Sequence, residues 1–492
     1  MIVEIERINS FEFCFAQSDD AGKRLVAQAL TFDNPDPFAY SDKIEMFSRT
    51  KFTFRIGMIG NVKAFAERRN VPINIHDYQY QMPDVAVDDR MSGRYVHQRQ
   101  AVEAFFRRRF GIIVVPTRGG KTFIASEILR IFMQTDEGNF LFVTDNTTLF
   151  TQARDDIRKF FERYGGVEVG EICSGKINVK RVTVAMIQTI QTALSKRSAP
   201  KRRSAMAKYL KSLAFLCVDE IHDNCSDARL RVYKRCSGLR YQLCLSATPY
   251  RANAFHQNLK LQAWSGDVIF TISDSILRER HVLSDYRVAI LYRKPSKLEL
   301  RSVDENDYAD CCRGVIYENE ERNKILEDVI QVCRNDGYKT LVLFQSIEHG
   351  KLIARRTGLT FISGVTSAEE REVVKRAFLN EQGGVLLASN IFKKGVTLPE
   401  VEVLINADGG LEDANTIQRK GRVLGATETK QRSMVIDFFD DAPYFDVHSV
   451  SRVNAYADDV MERALSYYDT ASANWKQEIK ETMRKWLRRD EE

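Results

Sequence analysis

Apolar and polar positions change their rhythm near residue 95. Beyond it, short continuous apolar runs alternate with stretches of helical period. The first series is Ile112–Val115, Phe140–Val143, Val182–Ala185, Phe215–Val218 and Cys244–Ser246. The second is Thr340–Phe344, Thr360–Ile362, Val385–Ala388, Val403–Ile405 and Met434–Ile436. Strands buried on both faces read as unbroken apolar runs, and separation by helices makes them parallel. Together they exceed one comfortable sheet, which predicts two α/β domains dividing near residue 285.

Before residue 90 the pattern is finer. Strand-like pieces at Ile2–Ile5 and Phe52–Ile56 flank a helix expected over Gly60–Asn70, where Val62, Phe65 and Ala66 recur at helical spacing. Phe52, Phe54 and Phe65 read as core residues of this small module. The polar stretch Tyr80–Gly93, with Pro83, Asp88 and Asp89, reads as a linker. Near the other end, Trp475, Ile479, Met483 and Trp486 form one stripe of an amphipathic helix, expected to pack on the preceding domain. Arg484, Lys485, Arg488 and Arg489 also offer that tail to DNA. The expected domains are 1–90, 91–284 and 285–445, with a helical extension over 446–492.

Composition narrows the class. The chain has 492 residues, 44% of them hydrophobic and 28% charged, which suits a soluble protein of two to four domains. No run of 18 apolar residues occurs, so no membrane-spanning helix is expected. The opening residues lack the order of a signal peptide. A net charge of +6 and pI near 8.7 permit a polyanionic partner. The nine cysteines form no CxxC pair and no zinc motif. They are read as reduced thiols of a cytoplasmic protein, with Cys217 and Cys244 in core strands.

The first candidate chemistry is VVPTRGGKT, residues 114–122. A strand leads in and the helical stretch Phe123–Met133 follows. Gly119 and Gly120 let backbone N–H groups approach phosphate oxygens, Lys121 balances their charge, and the Thr122 hydroxyl can ligate Mg²⁺. A plain glycine turn ahead of a helix is the alternative. FLCVDEIHDN, residues 215–224, weighs against it. Asp219 at the strand end can hold Mg²⁺ through water, Glu220 can polarise an attacking water, and His222 can sense nucleotide state. The pair of stretches predicts nucleotide hydrolysis.

These stretches and LSATPYR (245–251) resemble motifs I, II and III of the superfamily 2 helicases. The likeness runs from about residue 95 to 440. HQRQA (97–101) resembles the Q motif, VTDNTTLFTQ (143–152) motif Ia and AMIQTI (185–190) motif Ib. LVLFQSIEHG (341–350), ASNIFKKGVTLP (388–399) and IQRKGRVLG (417–425) resemble motifs IV, V and VI. The order, the N-terminal stretch TFDNPDPFAYSDKIEMFSRTKFTFRIGMIGNVKAFAERRN and the insert-poor core are similar to the UvsW-type phage helicases.

The resemblance implies two tandem RecA-like parallel-sheet domains, a small N-terminal α/β domain that engages DNA, and a helical C-terminal tail. It implies ATP and Mg²⁺ as cofactors, with Thr122 and Asp219 on the metal. Gln98, Thr117, Gly119, Gly120, Lys121, Thr122 and Gly395 would bind the nucleotide. Lys121, Asp219, Glu220, Gln418, Arg419 and Arg422 would carry the hydrolysis. Thr147, Thr148, Gln188, Thr189 and Thr397 would hold nucleic-acid phosphates without reading bases. His222, Ser246 and Thr248 would couple the two sites. One position departs from the family: Gly425 stands where motif VI usually ends in arginine, which puts the turnover rate in doubt.

The implied activity is ATP-dependent unwinding or branch migration of DNA junctions and forks, by a monomer with no membrane partner, in the cytoplasm of a phage-infected bacterium. An RNA or RNA–DNA hybrid helicase is the alternative within the class. An ATP-switched nucleic-acid clamp with weak hydrolysis is the alternative outside it, and Gly425 favours that one. The basic run KRSAPKRR (196–203) reads as a loop, and Arg107–Arg109 as a charge cluster ending a helix.

Overall fold

The computed structural model describes residues 2–9, 11–36, 41–77, 86–250, 254–381, 383–389, 398, 400–410, 426, 430–457 and 464–488. They divide into two units, Met1–Ser273 and Asp274–Glu492. The division precedes the sequence boundary because the helix Asp274–Glu279 leads into the second unit: Arg278 lies over the Tyr286 ring, 5.5 Å from its centroid.

The first unit begins with a five-stranded sheet in the order Phe47–Ser48, Thr53–Arg55, Glu12–Cys14, Val3–Asn9, Ile73–His76. The helices Asp20–Ala29 and Ile59–Glu67 cover it. Asp19 starts the first by accepting the Gly22 N–H, an N-cap that satisfies one orphan donor. Val3, Ile5, Phe13, Phe15, Leu25, Val26, Phe54 and Val62 form the core. Phe52 and Phe65 are half-buried and pack against this core, and the Arg69 guanidinium lies 3.8 Å from the Phe65 ring centre.

This small domain is seated on the helix Phe255–Ser265. Phe11 packs on Trp264 at 5.1 Å between ring centres, and Arg55 lies 4.7 Å from the Trp264 ring. At Gly57 the backbones are so close that a Cβ would stand 1.9 Å from the Gln262 carbonyl oxygen.

The stretch read as a linker is not one where it is described. Asp88 is buried, its N–H donates to Glu127 Oε1 at 2.7 Å, and its carboxylate accepts from Arg90 and from the Tyr164 hydroxyl. Polar residues there anchor the chain on the domain that follows; residues 80–85 lie outside the described residues.

That domain is an eight-stranded sheet in the order Lys176–Asn178, Val169–Cys173, Val182–Met186, Asn139–Thr144, Leu213–Val218, Tyr241–Ser246, Phe110–Val114, Val268–Thr271. All pairs are parallel except the first, which is antiparallel. The basic run is half helical: Pro200 opens the helix Pro200–Lys211 at a position where its missing N–H costs nothing. Arg107 and Arg108 do end the helix Val96–Arg108.

The second unit is a seven-stranded parallel sheet in the order Phe361–Ile362, Val385–Ser389, Thr340–Phe344, Val403–Asn406, Arg432–Asp440, Asp285–Arg293, Leu465–Asp469. The helix Trp475–Leu487 puts Trp475, Ile479 and Met483 into its core. Trp486 Nε1 donates to the Ser433 carbonyl at 2.7 Å, and Arg484 forks onto Asp336 with two 3.0 Å bonds. The tail is therefore a packed element, and Arg484 is engaged within it. Ionic groups lie beneath the sheet's C-terminal edge. Fully buried Arg322 donates to both oxygens of Asp440 at 3.1 Å, and His349 Nε2 shares a 2.8 Å hydrogen bond with Asn323 Oδ1.

Candidate active site

Three neighbouring strands build the site. Phe110–Val114, Tyr241–Ser246 and Leu213–Val218 are adjacent and parallel, so the loops leaving their C-terminal ends meet. Ligands of such sheets bind beyond those ends.

After Val114 the chain turns through Thr117, Arg118 and Gly119; the Gly119 N–H returns to the Pro116 carbonyl at 3.0 Å. Gly120 then opens the helix Lys121–Thr135 with φ 94°, a left-handed conformation that glycine adopts without strain. A Cβ at Gly120 would also stand 2.2 Å from Gln98 Nε2. No acidic residue occupies the first helical turn, so the positive end of the helix is left for an anion.

Gln98 is buried under this loop, with Nε2 3.4 Å from the Gly119 carbonyl oxygen. His97, which sequence reasoning did not single out, is fully buried and holds the same oxygen at 2.8 Å through Nε2. Its signal was its place beside Gln98. The two side chains brace the loop from below.

Lys121 Nζ donates to Glu220 Oε1 across 99 positions of sequence. Glu220 sits at φ 45°, unusual for a residue with a side chain. Its N–H donates to Asp219 Oδ1 at 3.0 Å, and Asn224 Nδ2 donates to the Asp219 carbonyl at 2.7 Å. Asn224 is buried and pins the turn; it too was missed, five residues beyond Asp219. Burial pushes the Asp219 carboxyl up to about 7, with the Lys121 charge opposing and the Glu220 charge adding. Burial also raises Glu220, but the Lys121 charge and hydrogen bond outweigh it and hold Glu220 below its ordinary value. Glu220 Oε2 is buried and makes no hydrogen bond among the described residues; His222 Nδ1 is 3.5 Å from it.

His222 also reaches the next strand end, where its Nδ1 lies 2.9 Å from Ser246 Oγ, and that oxygen accepts the Thr248 N–H at 3.1 Å. The three coupling candidates are thus in one chain of contacts with Glu220.

The nucleic-acid candidates follow the adjacent strands Asn139–Thr144 and Val182–Met186. Thr147 is exposed at the start of the helix Thr147–Glu162, and Thr148 is half-buried beside it. Gln188 is exposed, and its Nε2 ties the two loops by donating to the Asp145 carbonyl at 2.7 Å. Thr189 is buried on the inner side of its helix, so it does not share the exposed face of Gln188. Gly395, Thr397, Gln418, Arg419 and Arg422 lie outside the described residues.

A buried carboxylate with incompletely balanced charge and a half-buried hydroxyl at a helix start, Asp219 and Thr122, are hard oxygen donors that fit Mg²⁺. Among the described residues no group of three or more His, Cys, Asp or Glu is placed to hold a metal ion. Phosphate oxygens would complete the coordination.

Residues 90–251 match the family model described as type III restriction enzyme, res subunit, and residues 321–426 match the helicase conserved C-terminal domain. Putative helicase 22 of Sulfolobus islandicus filamentous virus is 25% identical over 368 residues, 70% of this chain and 63% of its own length. The DNA 3'-5' translocase XPB2 of Sulfurisphaera tokodaii is 24% identical over 425 residues, 78% of this chain and 89% of the relative. The ATP-dependent DNA helicase uvsW of Enterobacteria phage T4 is 22% identical over 396 residues, 74% of this chain and 75% of the relative. The chain thus spans under two thirds of the first relative and more of the other two. Among solved structures, S. cerevisiae Dbp5 bound to RNA and ADP BeF3 aligns with TM-score 0.55 and 15% identity, over 79% of this chain and 92% of that one. That likeness is one of fold.

Proposed function

Because the chain belongs to the superfamily 2 helicases and is an ATP-hydrolysing enzyme of that class, we propose that it is a DNA motor that unwinds or branch-migrates forks and junctions. The observation that carries this reading is the meeting of Lys121, Asp219, Glu220, His222 and Ser246 at three adjacent strand ends.

In this reading the backbone of Thr117–Gly120 and the helix beyond it receive the phosphates. Lys121 neutralises their charge, moving from Glu220 to the β- and γ-phosphate oxygens. That movement frees Glu220 to orient water and take its proton. Thr122 and Asp219 would hold Mg²⁺, which supplies charge neutralisation on the phosphates when bound. Gln98, which braces the loop through the Gly119 carbonyl, is proposed to read the adenine. Gly395, Gln418, Arg419 and Arg422 are proposed as the second domain's contribution, the arginines meeting the γ-phosphate. Thr147, Thr148, Gln188 and Thr397 are proposed as strand grips; buried Thr189 serves by packing its helix. Glu220, His222, Ser246 and Thr248 form a route by which the state of the γ-phosphate reaches those grips.

The relatives' names support DNA as the track, and the phage relative supports a phage-infected bacterium as the setting; forks and junctions are proposed as the form of that DNA. No described helix is long and apolar enough to cross a membrane. The motor is proposed to work as one chain.

The test is ATP hydrolysis by wild type and Lys121→Ala without nucleic acid and with single-stranded DNA, duplex, fork, four-way junction, RNA and RNA–DNA hybrid. Stimulation by fork or junction DNA, lost in Lys121→Ala, supports the proposal. Stimulation by RNA alone, or by nothing, overturns it.

A further inference from the structure

The N-terminal domain holds a cavity that the ATP site does not use. Its volume is about 450 Å³, within the range of roughly 300–1,000 Å³ typical of small-ligand sites. It opens between the helix Asp20–Ala29, the strands Lys43–Glu45 and Phe47–Ser48, and the turn ahead of Thr53–Arg55.

Its walls are aromatic. Phe15 is buried and meets Phe47 and Phe52 edge-on, with ring centres at 6.3 and 5.7 Å. Phe47 and Phe52 keep part of their surface open. Phe52 does so at φ 50°, a left-handed conformation that costs a bulky residue about 1–2 kcal/mol. Phe52 is the last residue of the turn that joins Phe47–Ser48 to Thr53–Arg55, so the turn fixes this conformation and presents the ring at the cavity.

The rim is basic. Lys23, Arg24 and Arg49 line the opening, and Glu45, the one carboxylate among the described lining residues, accepts from both Nε and Nη2 of Arg49. Lys23 Nζ is 5.2 Å from the Phe52 ring centre and 3.9 Å from Asp20, an exposed residue outside the cavity. An aliphatic ligand would leave these cations unused. A planar aromatic group carrying an anion would use both walls and rim.

We propose that this cavity takes one unpaired nucleotide of DNA, its base against Phe47 and Phe52 and its phosphate on Lys23, Arg24 and Arg49. The inference rests on the DNA-motor reading above. Because the domain is fixed to the helix Phe255–Ser265, the captured nucleotide is held by the same unit that carries Lys121 and Glu220. A base held out of its pair would keep the two strands of a branch from closing behind the motor.

The experiment uses the full chain and oligothymidylate, an abasic oligomer of equal length, and 5-iodouracil-substituted oligothymidylate for photo-crosslinking. The motor grips contact phosphates, so preference for base over abasic DNA reports the cavity. Wild type is expected to prefer the base-containing strand by about 5- to 150-fold, the range for one stacked base, with crosslinks on Phe47 or Phe52. Phe47→Leu should remove most of the preference. Lys23→Glu with Arg24→Glu should weaken binding and flatten its salt dependence by about 0.7 in log–log slope per lost phosphate contact. Crosslinks only beyond residue 86 and no base preference, while DNA still stimulates ATP turnover, would overturn the cavity and leave the motor standing. Crosslinks in the cavity without any DNA stimulation would do the reverse.

Discussion

His222 Nδ1 and Ser246 Oγ lie 2.9 Å apart, joining the end of one strand to the end of its neighbour. On one side the imidazole faces Glu220, and on the other the hydroxyl takes the Thr248 N–H. Ser246→Ala deletes the joint and leaves both termini in place. ATP turnover should change by less than about threefold, whereas unwinding should fall by tenfold or more, as when one bond that is worth most in the activated state is removed. Side-by-side measurement of ATP turnover and fork unwinding checks it; equal losses in both would count against a coupling role.

Glu220→Gln keeps the shape of the residue and most of its contact with Lys121, but it cannot take a proton. Turnover should drop by about 10²- to 10⁴-fold, the range for removing a general base, while the nucleotide still binds. Single-turnover hydrolysis together with binding of a fluorescent ATP analogue separates the two. A loss of binding equal to the loss of rate would assign Glu220 to the cradle instead.

Gly120 has both a left-handed backbone and Gln98 Nε2 in the space of a Cβ. Gly120→Ala should destabilise the first unit by about 1–3 kcal/mol through strain and abolish turnover. Adding Gln98→Ala removes the steric part alone. The double variant should regain part of the stability and none of the activity in a double-mutant cycle. Strict additivity would mean that the loop shifts away from Gln98 on its own.

Burial, reinforced by the nearby Arg322 charge, depresses the buried His349 to about 3. Unfolded histidine titrates near 6.5. The unfolded chain therefore binds the extra proton first, and stability falls as pH drops from about 6.5 towards 3, by up to about 1.4 kcal/mol per pH unit. Denaturant unfolding of the second unit between pH 7 and pH 5 should show the loss. His349→Gln should flatten it. An unchanged slope would place the acid sensitivity elsewhere.

The central strands were legible because parallel sheet buries both faces: Thr340–Phe344 is a strand with the bounds its apolar run suggests. The edge strands Leu465–Asp469 and Val268–Thr271 were not, although the edge strand Phe361–Ile362 lay within the run Thr360–Ile362. Leu465–Asp469 has one buried residue and Val268–Thr271 has none, so neither reads as a core run. Asp285–Arg293 is central but carries Arg287, whose guanidinium sits over the Trp486 ring at 4.6 Å, a partner nearly two hundred positions away. In the site, local chemistry was visible and pairing was not. The loops announce Lys121, Asp219 and Glu220, but only the strand order brings Lys121 to Glu220, or shows that His97 and Asn224 hold the two loops in shape. Thr189 shows the converse: its residue type suited a phosphate contact, and the helix turned it inward.

The strand Asp285–Arg293 opens the second unit, yet its neighbours are Arg432–Asp440 and Leu465–Asp469, and the core closes only with Trp475–Leu487. The first unit is complete by Ser273. On a ribosome adding roughly 5–20 residues per second, the nucleotide-cradling half can fold on the order of ten to forty seconds before its partner has all its strands. During that interval Val288, Ala289, Ile290 and Leu291 emerge with no sheet to join. The second half is thus the part of the nascent chain most in need of a chaperone.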